Sequence, residues 1–197
     1  MAMSMLGNGL SASEQHEDAL TVKEAELSLL RRIGAPEGRL LVVQGNLAIS
    51  YQSFGRLDEA LSLRHDIYSG WLKLNGEEHN STLRAANNYA ALLKKLNRFE
   101  EAKVLLRKTM PVARRVLGES HRLILKMRWI YALVLYHNDD ATLDELREAV
   151  ETVESVAPSW KRVFGTAHPE TPQVQKALAN ARAALARRAA ATSSGAA

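Results

Sequence analysis

The sequence repeats itself at a spacing of 42 residues, and this recurrence restricts the possible folds more than any other property of the chain. Asn88, Asn97 and Ala102 have counterparts 42 positions earlier in Asn46, Gly55 and Ala60, and Gly76 has one in Gly34. Leu83 and Tyr89 have counterparts 42 positions later in Leu125 and Tyr131. A Gly-x-x-His sequence marks each join, at Gly76–His79, Gly118–His121 and Gly165–His168, spaced by 42 and then 47 residues. A fixed period of this size is the mark of a solenoid, in which no unit buries its apolar face alone and neighbours must stack.

The units are helical. Aromatic residues make up only 6% of the chain, while Leu and Ala dominate an apolar content of 46%, a balance that favours helix over strand. The all-α class follows. Leu47, Ala48 and Tyr51 then fall at i, i+1 and i+4, the stripe of a helix packed between two neighbours. Ala60 and Ala102 are small residues where paired helices approach closely.

Segment boundaries follow from breakers and from the period. Residues 1–12 are expected to be disordered, and 13–38 to supply the second helix of a partial unit, closed by the break from Gly34 to Gly38. Full units are expected at 39–80 and 81–122, with helices from about Leu40 to Phe54, Leu57 to Leu74, Thr82 to Leu96 and Phe99 to Leu117. A third unit, 123–170, begins with a helix from about Leu123 to His137. Its turn is lengthened by five residues at Asn138 to Thr142, because Ala149 stands 47 rather than 42 positions after Ala102. Pro111 and Pro158 sit inside the second helices, where each removes a backbone hydrogen bond and bends its helix along the array. Residues 171–190 form an Ala-rich capping helix with a stripe of Val174, Ala177, Leu178, Ala181 and Leu185, and 191–197 a disordered tail.

These features together resemble the tetratricopeptide repeat, in the 42-residue variety of kinesin light chains and their relatives. The resemblance rests on Asn46 to Tyr51 with Gly55 to Ala60, on Asn87 to Ala90 with Asn97 to Ala102, and on the Gly-x-x-His loops. It covers roughly residues 17 to 170. It implies a right-handed superhelix of antiparallel helix pairs, whose first helices line a concave groove for peptide or protein segments. The third unit departs from the pattern, with Trp129 and Ile130 where the central one has Asn87 and Asn88. No heptad repeat of the kind that joins kinesin light chains to the heavy chain is present.

Carrying the repeat onto this chain places Asn46, Ile49 and Gln52 in the groove of the first unit. Arg84, Asn87, Asn88, Lys94 and Lys95 follow in the second, and Lys126, Trp129, Leu133 and His137 in the third. Asparagine can both donate to and accept from an extended peptide backbone, and Arg and Lys pair with acidic groups. The ligand implied is an acidic peptide or protein segment.

Other chemistries find less support. The three loop histidines invite a metal, but equivalent residues of stacked pairs lie about 10 Å apart, too far to share an ion, so a structural loop role is expected. No cofactor is called for. The chain has no phosphate loop, nucleophile elbow or His-Glu-x-x-His helix. Paired carboxylates at Asp58–Glu59 and Glu100–Glu101 open helices, where the macrodipole favours negative charge. The chain is read as a non-enzymatic scaffold or adaptor. Two alternatives stay open: a structural segment of a larger array, and a basic solenoid that binds nucleic acid through the cluster from Arg107 to Arg128, which the acidic run from Asp139 to Glu154 partly offsets. The net charge is +4 and there is no cysteine. No apolar run approaches the ~20 residues of a membrane span, and Met1 to Leu10 lacks the basic start of a secretory signal. A cytoplasmic setting is the default expectation.

Overall fold

The computed structural model describes residues 16–194, and every element within them is helical. The helices are α1 (His16–Arg32), α2 (Glu37–Ser53), α3 (Leu57–Asn75), α4 (Asn80–Lys95), α5 (Phe99–Leu117), α6 (Arg122–His137), α7 (Leu143–Phe164) and α8 (Thr171–Ser194). The expected disorder of residues 1–12 lies outside the described residues, as does the end of the tail. The last helix continues to Ser194 rather than ending near residue 190. The chain falls into two bodies divided between Tyr89 and Ala90, within α4.

Helix ends follow the local sequence. In α3, α5 and α7 the first turn carries Asp58 and Glu59, Glu100 and Glu101, and Asp144 and Glu145, while basic residues occupy the last turn. Each sign opposes the macrodipole at its end. The three helices stop at Gly76, Gly118 and Gly165, with φ of 80°, 81° and 83° and ψ of 175°, 157° and 172°. Essentially only glycine adopts this region. The α2 start differs from the sequence reading: Pro36 is the N-cap, so Gly38 lies inside the helix, where a Cβ would stand 3.3 Å from the Trp71 ring. Close packing on α3 explains the glycine that the sequence suggested was a break.

In the first body, Leu20, Leu27 and Leu30 of α1 form a core with Val43 and Leu47 of α2. The opposite side of α2 contributes Ala48 to a second cluster with Ile67 of α3 and Ala85 of α4. In the second body α6 touches α5, α7 and α8. It is therefore buried on most of its circumference, from Leu123 through Tyr136. Ala60, Ala102 and Ala149 are each 0% exposed, which leaves no room for a larger side chain at these positions. The long turn after α6 is held by its own polar groups. Asn138 Oδ1 accepts from the Asp140 amide at 3.1 Å. Thr142 and Glu145 form a reciprocal capping box at 3.2 and 3.1 Å. α8 buries Val174, Ala177, Ala181 and Ala184, leaving Leu178 and Leu185 half-buried.

Candidate functional site

Helical periodicity assembles a cleft in the first body. Val42, Asn46 and Ile49 stand at i, i+4 and i+7 on α2, and Ser81, Arg84, Ala85 and Asn88 at i, i+3, i+4 and i+7 on α4. These two rows face a gap of about 200 Å³, which Arg64, Ile67 and Trp71 of α3 complete. Four sequence-predicted residues, Asn46, Ile49, Arg84 and Asn88, thus meet at one place. Gln52 is half-buried and does not line this cleft.

In the second body, Lys94, Lys95 and Asn97 border a gap of about 510 Å³ with Phe99, His137 and Asp139. Asn97 takes φ 57°, matching Gly55 at φ 73° one period earlier; asparagine is the non-glycine residue that tolerates this conformation best. His137 lies on the Tyr136 ring with centroids 4.3 Å apart. Burial, and then the charge of Lys94, hold the His137 pKa below its ordinary value.

Two expected groove residues are core residues instead. Asn87 is 7% exposed, because it shares the buried row of α4 with Leu83 and Ala90. Its Nδ2 donates to Asn88 Oδ1 at 3.4 Å, and its own Oδ1 has no partner among the described residues. Trp129 is 3% exposed, with its ring 6.3 Å from that of Trp160. The third unit departs from the repeat here by packing a tryptophan against α7, and α6 as a whole also has α8 as a neighbour. Lys126 places Nζ 5.8 Å from the centre of the Phe164 ring, beside Arg122 at 4.7 Å. Leu133 is half-buried; neither Lys126 nor Leu133 borders the two clefts described.

The loop histidines act as caps. Nδ1 of His79, His121 and His168 accepts from the amides of Ser81, Leu123 and Glu170, at 3.2, 3.1 and 3.3 Å. Each satisfies an otherwise unpaired donor at a helix start. Among the described residues no group of three His, Asp or Glu side chains is placed to hold a metal ion.

Much of the basic block between Arg107 and Arg128 is engaged internally. Arg107 pairs with Glu148 at 3.1 Å and donates from Nε to the Tyr131 hydroxyl at 2.8 Å. That hydroxyl donates in turn to Glu148 at 2.9 Å; burial first, and then Glu148, push the Tyr131 pKa up to about 12 against the opposing effect of Arg107. Arg114 and Arg128 share Glu119, at 2.6 and 3.4 Å. Lys103 bridges Glu100 and Glu145 at 2.7 Å each.

Sequence reasoning missed Arg64. It is 7% exposed, and burial lowers its pKa. The signal was present: Ala60, Arg64, Ile67 and Trp71 fall at i, i+4, i+7 and i+11, which puts an arginine in the apolar row.

Residues 39–115 match the family model described as tetratricopeptide repeat. No curated protein matches the sequence. Among solved structures, the nearly identical TPR-like repeats of a provisionally assigned kinesin light chain from Podosopora anserina align with a TM-score of 0.74 at 23% identity, over 98% of this chain and 89% of that one. A single-substitution variant of that protein aligns with a TM-score of 0.77 at the same identity and coverage. BtubC (BKLC) from P. vanneervenii aligns with a TM-score of 0.65 at 16% identity, over 97% of this chain and 80% of that one. Helix pairs, glycine-terminated second helices and these alignments agree: residues 39–115 match the tetratricopeptide repeat, and the fold of the chain is that of the solved kinesin light chain-like repeat structures.

Proposed function

We propose that the chain is an interaction scaffold, an adaptor working in the cytoplasm, that takes an extended acidic segment of a protein partner on the exposed faces of α2 and α4. The repeat fold is of a non-catalytic type that generally binds proteins. The carrying observation is the first-body cleft, where Asn46, Ile49, Arg84 and Asn88 meet with no carboxylate in the lining. A cation, two amides and an apolar side chain at one opening suit a peptide with an acidic residue beside an apolar one. Lys94 and Lys95 supply positive charge at the second body's own cleft. The reading sets the repeats at 39–80, 81–122 and 123–170, and it needs no cofactor, small-molecule substrate, membrane or nucleic acid.

Affinity for one short segment is expected on the order of micromolar, because ordering a flexible peptide offsets much of the contact energy. Exposed charges steer association and are screened by salt, so Arg84→Glu with Lys94→Glu should weaken binding most at low ionic strength. Asn88→Ala should instead cost about 1 kcal/mol at any salt, through a lost backbone hydrogen bond. Titrating these variants against an array-selected peptide and its charge-neutralised version checks both. Equal affinity for the two peptides, with no loss in either variant, would place the binding surface elsewhere.

A further inference from the structure

Arg64 stands where the repeat elsewhere keeps an apolar residue. The 42-residue spacing puts Leu106 at the matching place in α5, and the further 47 residues put Val153 there in α7; both are 0% exposed. In α3 the place holds a guanidinium whose Nε is shut from solvent with no hydrogen-bond partner among the described residues. Among the described residues no ion pair involves Arg64, and no Asp or Glu lines the cleft it borders. Leaving a donor of a charged group buried without a partner is unfavourable, and native structures seldom keep such a donor without a use for it.

We propose that Arg64 is the seat for a glutamate side chain carried on a bound peptide segment. This rests on the peptide-binding reading above and adds the residue that selects the ligand. The guanidinium offers a planar fork that matches a carboxylate. Arg64 is 7% exposed, whereas Arg84 and Asn88 at the opening are exposed. A side-chain carboxylate on a two-carbon stem reaches a recessed partner; a chain-terminal carboxylate would have to bring its own backbone into the gap. Arg84 adds a second positive charge, and Asn46 and Asn88 supply donors for the remaining oxygen lone pairs. Val42 and Ile49, 56% and 53% exposed, offer an apolar strip for the residues flanking the glutamate. Gly45 keeps the way open, since no atom lies within 4 Å of where its Cβ would stand.

The probe is acetyl-Leu-Glu-Leu-amide, with acetyl-Leu-Gln-Leu-amide as its uncharged twin, and the readout is the Arg64 Nε–H resonance of the nitrogen-15-labelled full chain. The glutamate probe should shift that resonance saturably, and the glutamine probe should bind at least about tenfold more weakly. Arg64→Met should abolish the preference and raise the thermal midpoint, because methionine fits an apolar row without a buried charge. Gly45→Leu should block the shift while circular dichroism shows the helices intact. No shift, equal shifts from the two probes, or a lowered midpoint for Arg64→Met would overturn the proposal. A selected peptide that binds Arg64→Met as well as the parent chain would remove this seat alone. Failure of the peptide-binding reading looks different: no selected peptide responds to the Arg84, Lys94 and Asn88 variants.

Discussion

Gly118 ends α5 at φ 81° and ψ 157°, and no atom lies within 4 Å of where its Cβ would be. A substitution there meets no crowding, so any cost comes from the backbone alone. Gly118→Ala is expected to lose about 1–3 kcal/mol, the range for a residue forced into this region, read as a lowered urea midpoint. The glycine was legible in the sequence because the Gly-x-x-His motif recurs. The role of the histidine was legible only as a structural one, since its capping depends on which ring nitrogen faces the next helix. Arg64 was legible in principle and was passed over, because a lone charge in a helix is normally solvated. Its position in the row with Ala60 and Ile67 was the contrary sign. Asn87 was misplaced for a related reason: the repeat register assigns a polar residue to an exposed face, yet Leu83 and Ala90 on either side of it are 1% and 0% exposed.

Among elements, the clearest electrostatic tie joins α5 to α7. Lys103 and Glu145 meet at 2.7 Å with side chains only 11% and 14% exposed. The hydrogen bond from Lys103 holds the Glu145 pKa below the ordinary carboxylate value despite burial. A depressed carboxylate pKa gives stability that is complete above the unfolded-state value, about 4.3, and is lost as pH falls through the folded value. Glu145→Gln is therefore expected to be less stable than the parent chain by about 1–3 kcal/mol at pH 7, the range for hydrogen bonds to charged groups. The difference should close in strong acid; urea midpoints at the two pH values test it, and a gap independent of pH would assign the loss to the capping box. Helix order and type were readable from period and breakers; the five extra residues expected in the turn before α7 instead divide between that turn, residues 138–142 against 54–56 and 96–98 in the earlier pairs, and α7 itself, which has 22 residues where α5 has 19. The burial of Trp129 was not readable, because it depends on Trp160 of α7 lying 6.3 Å away, and nothing local to α6 announces that neighbour.

At the scale of the molecule, the charge of +4 overstates the free positive surface. Arg107, Arg114 and Arg128 are each engaged by a glutamate of the same body. Polyelectrolyte binding scales with the number of cations free to neutralise phosphates. Binding of a random-sequence oligonucleotide is accordingly expected to be weak at 150 mM salt, with a shallow dependence of log affinity on log salt. Fluorescence anisotropy across a salt series checks this, and a steep slope would favour the nucleic-acid reading. The repeat itself was legible because period is a property of the whole chain, whereas the cleft depends on which rows of α2, α3 and α4 meet. The packing described earlier, in which α1 meets α2 and α2 meets α3 in turn, bears on synthesis. Its contacts join segments that are close in sequence, so little loop-closure entropy is lost in forming them. Every residue of the first body precedes Ala90. Its helix contacts can therefore begin to form while the second body is still being translated, which shortens the time its leucine-rich faces stay open to aggregation.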